Sequence, residues 1–370
     1  MQDPAEIPLT ELITALLDTD SPLKPRFLYR LSDLDNDELF AFQQTWPKLP
    51  LWRRQAMMED LEQLGIADDL LDYEAISRHT MQDEDPRVRL SAIRILWEYE
   101  TDDLIPAFQK ILESDPEGEV RAAAAAALGQ FVYKGEIEEL SPTILHELED
   151  HLFKAIAKDK DVQVQQRALE SLSYSSRDEI PPLIEKAFST GDRDWMATAL
   201  IAMGRSVDKR WQDEVLSMLD NKIPNLRAES ARAAGELELA ESVPSLVELS
   251  EDADDDVRMA AIWSLSQIGG DKARRTLENL ISESSDDDEL DFLETALDNL
   301  AFTDGLQPFS ILDFPENQAE SDLYDSLLDE EELSDFDDED GEFLATDEDD
   351  VFDFRDIEDL LLDDDEDRTD

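Results

Sequence analysis

The chain has 370 residues, 41% of them hydrophobic, so material for a core extends over most of a one- or two-domain length. Its 95 Asp and Glu against 32 Lys and Arg leave a formal charge of −63, which repels phosphate backbones and anionic lipid and sets direct nucleic-acid and membrane-surface binding aside. Cysteine is absent, which removes disulfides, thiolate metal sites and cysteine nucleophiles together.

The opening MQDPAEIPLTE has no basic stretch leading into a long apolar run. Neither a secretory leader nor a membrane-spanning helix is expected, and a cytoplasmic protein is the default. Residues 1–50 are predicted to form an N-terminal helical cap that includes Leu9–Leu17.

From residue 51 to 303 the sequence repeats. Segments such as DPRVRLSAIRIL, DVQVQQRALESL and DDDVRMAAIWSL align on one landmark, which is Val88, Val120, Val164, Trp195, Leu226 and Val257 in turn. The intervals are 32, 44, 31, 31 and 31 residues. Four positions on stands a small residue (Ala92, Ala124, Ala168, Ala199, Ser230, Ala261), and eight positions on an apolar one (Leu96, Leu128, Leu172, Met203, Ala234, Leu265). That spacing lines one face of a helix, and the small residue admits a close neighbour.

An acid three residues ahead of the landmark (Asp85, Glu117, Asp161, Asp192, Asp254) suits an N-cap, with Ile223 breaking the pattern. An earlier helix in each unit opens on Pro106, Pro181 or Pro244, tolerated in a first turn. Degenerate units around Trp52 with Ala56, and Phe292 with Ala296, close the two ends. The one long interval places roughly 13 extra residues near Tyr133–Leu148. They either lengthen a helix or form an edge insertion that carries partner contacts.

The units resemble HEAT repeats of the short form found in phycobilisome bilin lyases, on the D-x-x-V-R-x-x-A core over residues 50–300. Gln165 and Met196 depart from the usual arginine after the landmark. The resemblance implies an all-α fold: an α-solenoid of about seven helical hairpins, stacked so that each buries its neighbour's apolar face. It carries no particular function, since the repeat recurs in scaffolds, lyase subunits and DNA-repair proteins.

The arginine after the landmark (Arg53, Arg89, Arg121, Arg227, Arg258) lies on the shoulder of the buried face, where pairing with a cap acid is expected. The outward positions are two, six and ten residues past the landmark. Leu90, Arg94, Ile201, Arg232 and Trp263 fall there and are the candidate protein-binding residues, because aromatic and arginine side chains dominate interfaces. Of the three histidines, His79, His146 and His151, the last two are five apart, off the metal-ligand spacing, and are read as solvated. No catalytic constellation, metal site or cofactor motif stands out, so no enzyme is expected.

Residues 304–370 form the tail. From Pro315 onward it holds 28 acids against two arginines, a net −26, which predicts disorder. Within it Phe354, Ile357 and Leu361 are spaced to fold into a groove on binding. The expected function is a non-enzymatic scaffold or adaptor holding a protein on the second-helix face, with the tail recruiting a basic partner or shielding the groove. A bilin-lyase-like subunit and an acidic mimic of nucleic acid are the alternatives.

Overall fold

The computed structural model describes residues 7–310, with side chains through 303, and divides at Ser206 and Val207 into two compact units. Phe354, Ile357, Leu361 and the acidic stretch around them lie outside the described residues.

The first unit is all helical: α1 (Leu9–Leu17), α2 (Pro25–Tyr29), α3 (Asn36–Thr45), α4 (Leu51–Ala67), α5 (Glu74–Thr80), α6 (Pro86–Leu96), α7 (Ile105–Ser114), α8 (Gly118–Glu136), α9 (Pro142–Lys158), α10 (Val162–Leu172), α11 (Ile180–Ser189) and α12 (Arg193–Arg205). Taken in pairs these are hairpins. The second helix of each stacks on the next, α2 on α4 and so on to α12, while α1, α3 and α5, and then α7 and α9, stack in the other layer. The N-terminal residues therefore continue the layering. The second unit repeats the scheme with α13 (Gln212–Met218), α14 (Pro224–Glu236), α15 (Val243–Leu249), α16 (Asp255–Ile268), α17 (Gly270–Glu283) and α18 (Asp287–Ser310). There α14, α16 and α18 stack in one layer, with α15 and α17 in the other.

Repeat periodicity becomes packing directly. All six landmarks are buried, and the residues four and eight positions on are fully so. Asp85, Asp161, Asp192 and Asp254 each accept a backbone N–H of the first turn, and Pro106, Pro181 and Pro244 stand in first turns. Glu117 and Ile223 hold the N-cap position without a side-chain bond.

Small residues set the closest approaches. Ser171 of α10 donates its hydroxyl to the Ala125 carbonyl of α8 at 2.8 Å, and Ser264 of α16 donates to Ala231 of α14 at 2.7 Å. Gly129 and Gly235 lie one turn beyond those carbonyls. A Cβ at Gly129 would stand 2.8 Å from the Ser171 oxygen, and one at Gly235 would stand 2.8 Å from the Ser264 Cβ. Glycine is required there by the neighbouring helix.

One expectation needs correction, and one open alternative is decided. At the first degenerate unit the register is one residue late: Trp52 is 50% exposed and Ala56 is exposed, whereas Arg53, Met57 and Leu61 are buried. The landmark position is held by an arginine, whose guanidinium donates to the Asp18 and Ser21 carbonyls, so no apolar residue marks it. The extra residues after Tyr133 lengthen helices. The second helix α8 has 19 residues and α9 has 17, against 11 in α10, with a turn over 137–141 between them.

Candidate protein-interaction face

The conserved-looking arginines are structural, but their partner differs from the expected one. Arg89 forks onto Asp115 at 2.7 and 2.8 Å, Arg121 onto Asp159 at the same distances, and Arg227 onto Asp252 at 2.9 Å twice. Each acid stands five residues before a landmark, two before the cap. Its other task is to accept the backbone N–H of the cap residue, as Asp115 does from Glu117 and Asp252 from Asp254. The cap acids Asp161 and Asp254 at minus three are occupied by their own helix ends, and the minus-five acid meets the preceding repeat.

Each arginine also donates to the carbonyl five residues before its own landmark: Arg89 to Asp83, Arg121 to Asp115, Arg227 to Asn221, Arg258 to Asp252. In the shifted first unit Arg54 takes the role and binds Asp83, which Trp46 also reaches. Gln165 keeps the carbonyl bond to Asp159 but has no guanidinium to extend. The Arg227 guanidinium holds the Asp252 carboxyl below its ordinary value. Burial would raise Asp159, yet its bonds to Arg121 and the Asp161 N–H carry it below the usual range.

With the arginines at plus one absorbed, the outward strip of the second helices remains. Leu90 does not belong to it. It is 8% exposed, because α4 and α8 flank α6 closely and leave only a narrow strip, held by Arg87, Arg94 and Trp97. Arg94 is exposed and approaches Glu62 at 3.5 Å; Ile201 is half-buried. These three are in the first unit. Arg232 and Trp263 belong to the second, where Arg232 pairs with Glu229 and Trp263, 37% exposed, leans on Phe292 with ring centroids 6.3 Å apart. Met259 is exposed one turn before Trp263.

Spacing alone did not assemble the aromatic row of the first unit. Trp97 at the end of α6 is 53% exposed, and Tyr133 in the last turns of α8 is 51% exposed. Tyr133 meets Tyr174, just past α10, edge to face at 5.7 Å, and the Arg205 guanidinium of α12 lies 5.3 Å over the Tyr174 ring. Tyr174 and Arg205 both stand ten residues past their landmarks, an outward position, so comparing that position across repeats finds half of the row. Trp97 and Tyr133 sit at other registers and carry no shared signal.

Beside the row lies a buried polar cluster. Glu149 of α9 is fully buried; Ser175 donates to one of its oxygens at 2.5 Å, and Arg177 stands 3.7 Å from the other. Burial pushes the Glu149 carboxyl above its ordinary value, against the opposing pull of Ser175 and Arg177. Arg177 stacks 4.5 Å over Phe153 and bonds Glu179 and Asp150. The cluster pins the lengthened α9 to the end of α10. Of the histidines, His146 is exposed and His151 is half-buried beside Gln109. His79 is half-buried against Phe42, and burial lowers its pKa. Among the described residues no group of three His, Cys, Asp or Glu is placed to hold a metal, and no helix is long and apolar enough to cross a membrane.

Paired helices, a landmark every 31 or 32 residues and a rung of arginine and aspartate between repeats define the type, and the family model for HEAT repeats matches residues 75–148 and 212–297. Those two stretches of the chain are HEAT repeats. No curated protein matches it. Among solved structures, these HEAT repeats are similar to the complex of CpcE and CpcF of phycocyanin lyase from Nostoc, at 18% identity over 61% of this chain and 94% of that one, with a TM-score of 0.41. They are also similar to yeast importin-β (Kap95p), at 13% identity over 80% of this chain and 47% of that one, with a TM-score of 0.43. A third, human deoxyhypusine hydroxylase, shares 16% identity over 70% of this chain and 95% of that one, with a TM-score of 0.31.

Proposed function

We propose that this HEAT-repeat protein is a non-enzymatic scaffold that holds a protein partner on the second-helix face of its first unit. The observation that carries the reading is the cluster of Tyr133, Tyr174 and Arg205, with Trp97 and Arg94 exposed on the neighbouring α6 and its end. Aromatic rings and guanidinium groups on a preformed surface supply contact area at low entropic cost. Arg232 and Trp263 form a smaller counterpart on the second unit. Residues 315–370, at −26, add long-range attraction for a basic protein. Neither a bilin-lyase-like activity nor mimicry of nucleic acid gains a residue from this geometry.

The test compares full-length baits in a source lysate. Trp97→Ala with Arg94→Glu should lose partners that the unmodified chain captures, while Lys110→Glu on the exposed side of α7 should keep them. Equal capture by all three would remove the face from the function.

A further inference from the structure

From α6 to α12 the second-helix layer of the first unit is short of acid in a chain otherwise saturated with it, whereas α4 carries Glu59, Asp60 and Glu62. Setting aside the rung arginines Arg89 and Arg121, the helices α6, α8, α10 and α12 hold six basic residues and four acidic ones. One of the four, Glu170, is buried and paired with Arg167 at 2.6 Å. In α6 there is no acid at all, and Arg87 and Arg94 are both exposed. Against this stands a stretch with the opposite character on the same polypeptide. Residues 353–362, DFRDIEDLLL, place four acids and one arginine around Phe354, Ile357 and Leu361.

We infer that residues 353–362 dock on the second-helix face of the first unit and occupy the aromatic row when no partner is bound. The inference rests on the reading of that face as a protein-binding surface. Charge complementarity supports it: the face carries Arg87, Arg94 and Arg205, and the segment carries four acids against one arginine. Shape supports it as well. Wound as a helix, the three apolar anchors span about 10 Å, which is the distance between neighbouring packed helices. On this face they would meet the paired rings of Tyr133 and Tyr174. Reach does not limit the contact, since the chain between residues 310 and 353 spans up to about 140 Å. A tether of that kind supplies a local concentration that a free partner must exceed. The tail is then a competitor that sets a threshold for binding.

The absence of native cysteine makes the test direct. In the full-length chain, Ala126→Cys at the centre of the α8 outward face is combined with Glu358→Cys, and disulfide formation is followed at high dilution. The reference pair is Lys110→Cys on α7 with Glu358→Cys. The intramolecular bond to residue 126 should form about tenfold faster than the bond to residue 110. Raised salt or Arg87→Glu with Arg94→Glu should bring the two rates together. Ile357→Ser with Leu361→Ser, outside the folded repeats, should do the same without touching the face. Equal rates in the unmodified background would overturn the inference, as would cross-links only between two copies. Either result would leave the face reading standing if Trp97→Ala still loses its partners. Fast cross-linking with unchanged partner capture would instead keep the docked tail and remove the partner face.

Discussion

At the scale of single residues, the rungs between repeats show how one side chain serves two ends. Asp252 accepts the Asp254 N–H, closing a turn, and receives both arms of Arg227 from the preceding helix. Asp252→Asn keeps the acceptor and removes the charge. It should cost about 2 kcal/mol at neutral pH, the scale of a charge-assisted hydrogen bond. The sign of its pH dependence is fixed. The folded pKa lies below the unfolded value near 3.8, so the stabilisation is present above that value and is lost as pH falls through the folded one. Chemical denaturation at neutral and at acid pH should show the gap between the two proteins closing on the acid side. A gap independent of pH would mean that the carboxylate charge contributes nothing.

At the scale of helices, the close contacts α8 with α10 and α14 with α16 depend on residues too small to hold anything apart. Alanine favours a helix over glycine by up to about 1 kcal/mol, so Gly129→Ala would stabilise an isolated α8. Within the stack its Cβ would meet Ser171, and overpacking of about 1–3 kcal/mol exceeds that gain. Thermal unfolding should therefore show Gly129→Ala melting below the unmodified chain, whereas Ala126→Gly on the outward strip should lose only its propensity difference. A higher melting temperature for Gly129→Ala would show that the helices yield.

This scale also explains what the sequence made legible. Landmarks, small residues and caps were readable because each repeats at a fixed interval and answers to local rules of helix burial and capping. The register at Trp52 was not, because a buried arginine bonded to carbonyls has no apolar signature. Asp115 and Asp159 went unread because the same segments offer two acids two residues apart, and only the stacked neighbour decides which one takes the arginine. Leu90 misled for a related reason: helical angle alone does not tell how closely α4 and α8 crowd the outward strip. Tyr133 reaches Tyr174 only because α8 runs longer than α10, which the repeat spacing does not show.

At the scale of the whole molecule, charge is distributed unevenly, and the proposed function follows that distribution. Acids fill the turns, where they cap helices and bind arginines, and crowd the tail, where net charge reaches −26. The second-helix face of the first unit is left with arginines and aromatic rings. The measurement that bears most directly on the account is side-chain oxidative footprinting of the full-length protein, alone and with a partner it captures. Trp97 and Tyr133 should be protected in the complex, while Trp52 and Phe40, exposed elsewhere on the same unit, should be modified at unchanged rates. Unchanged modification of Trp97 and Tyr133 in a formed complex would contradict it.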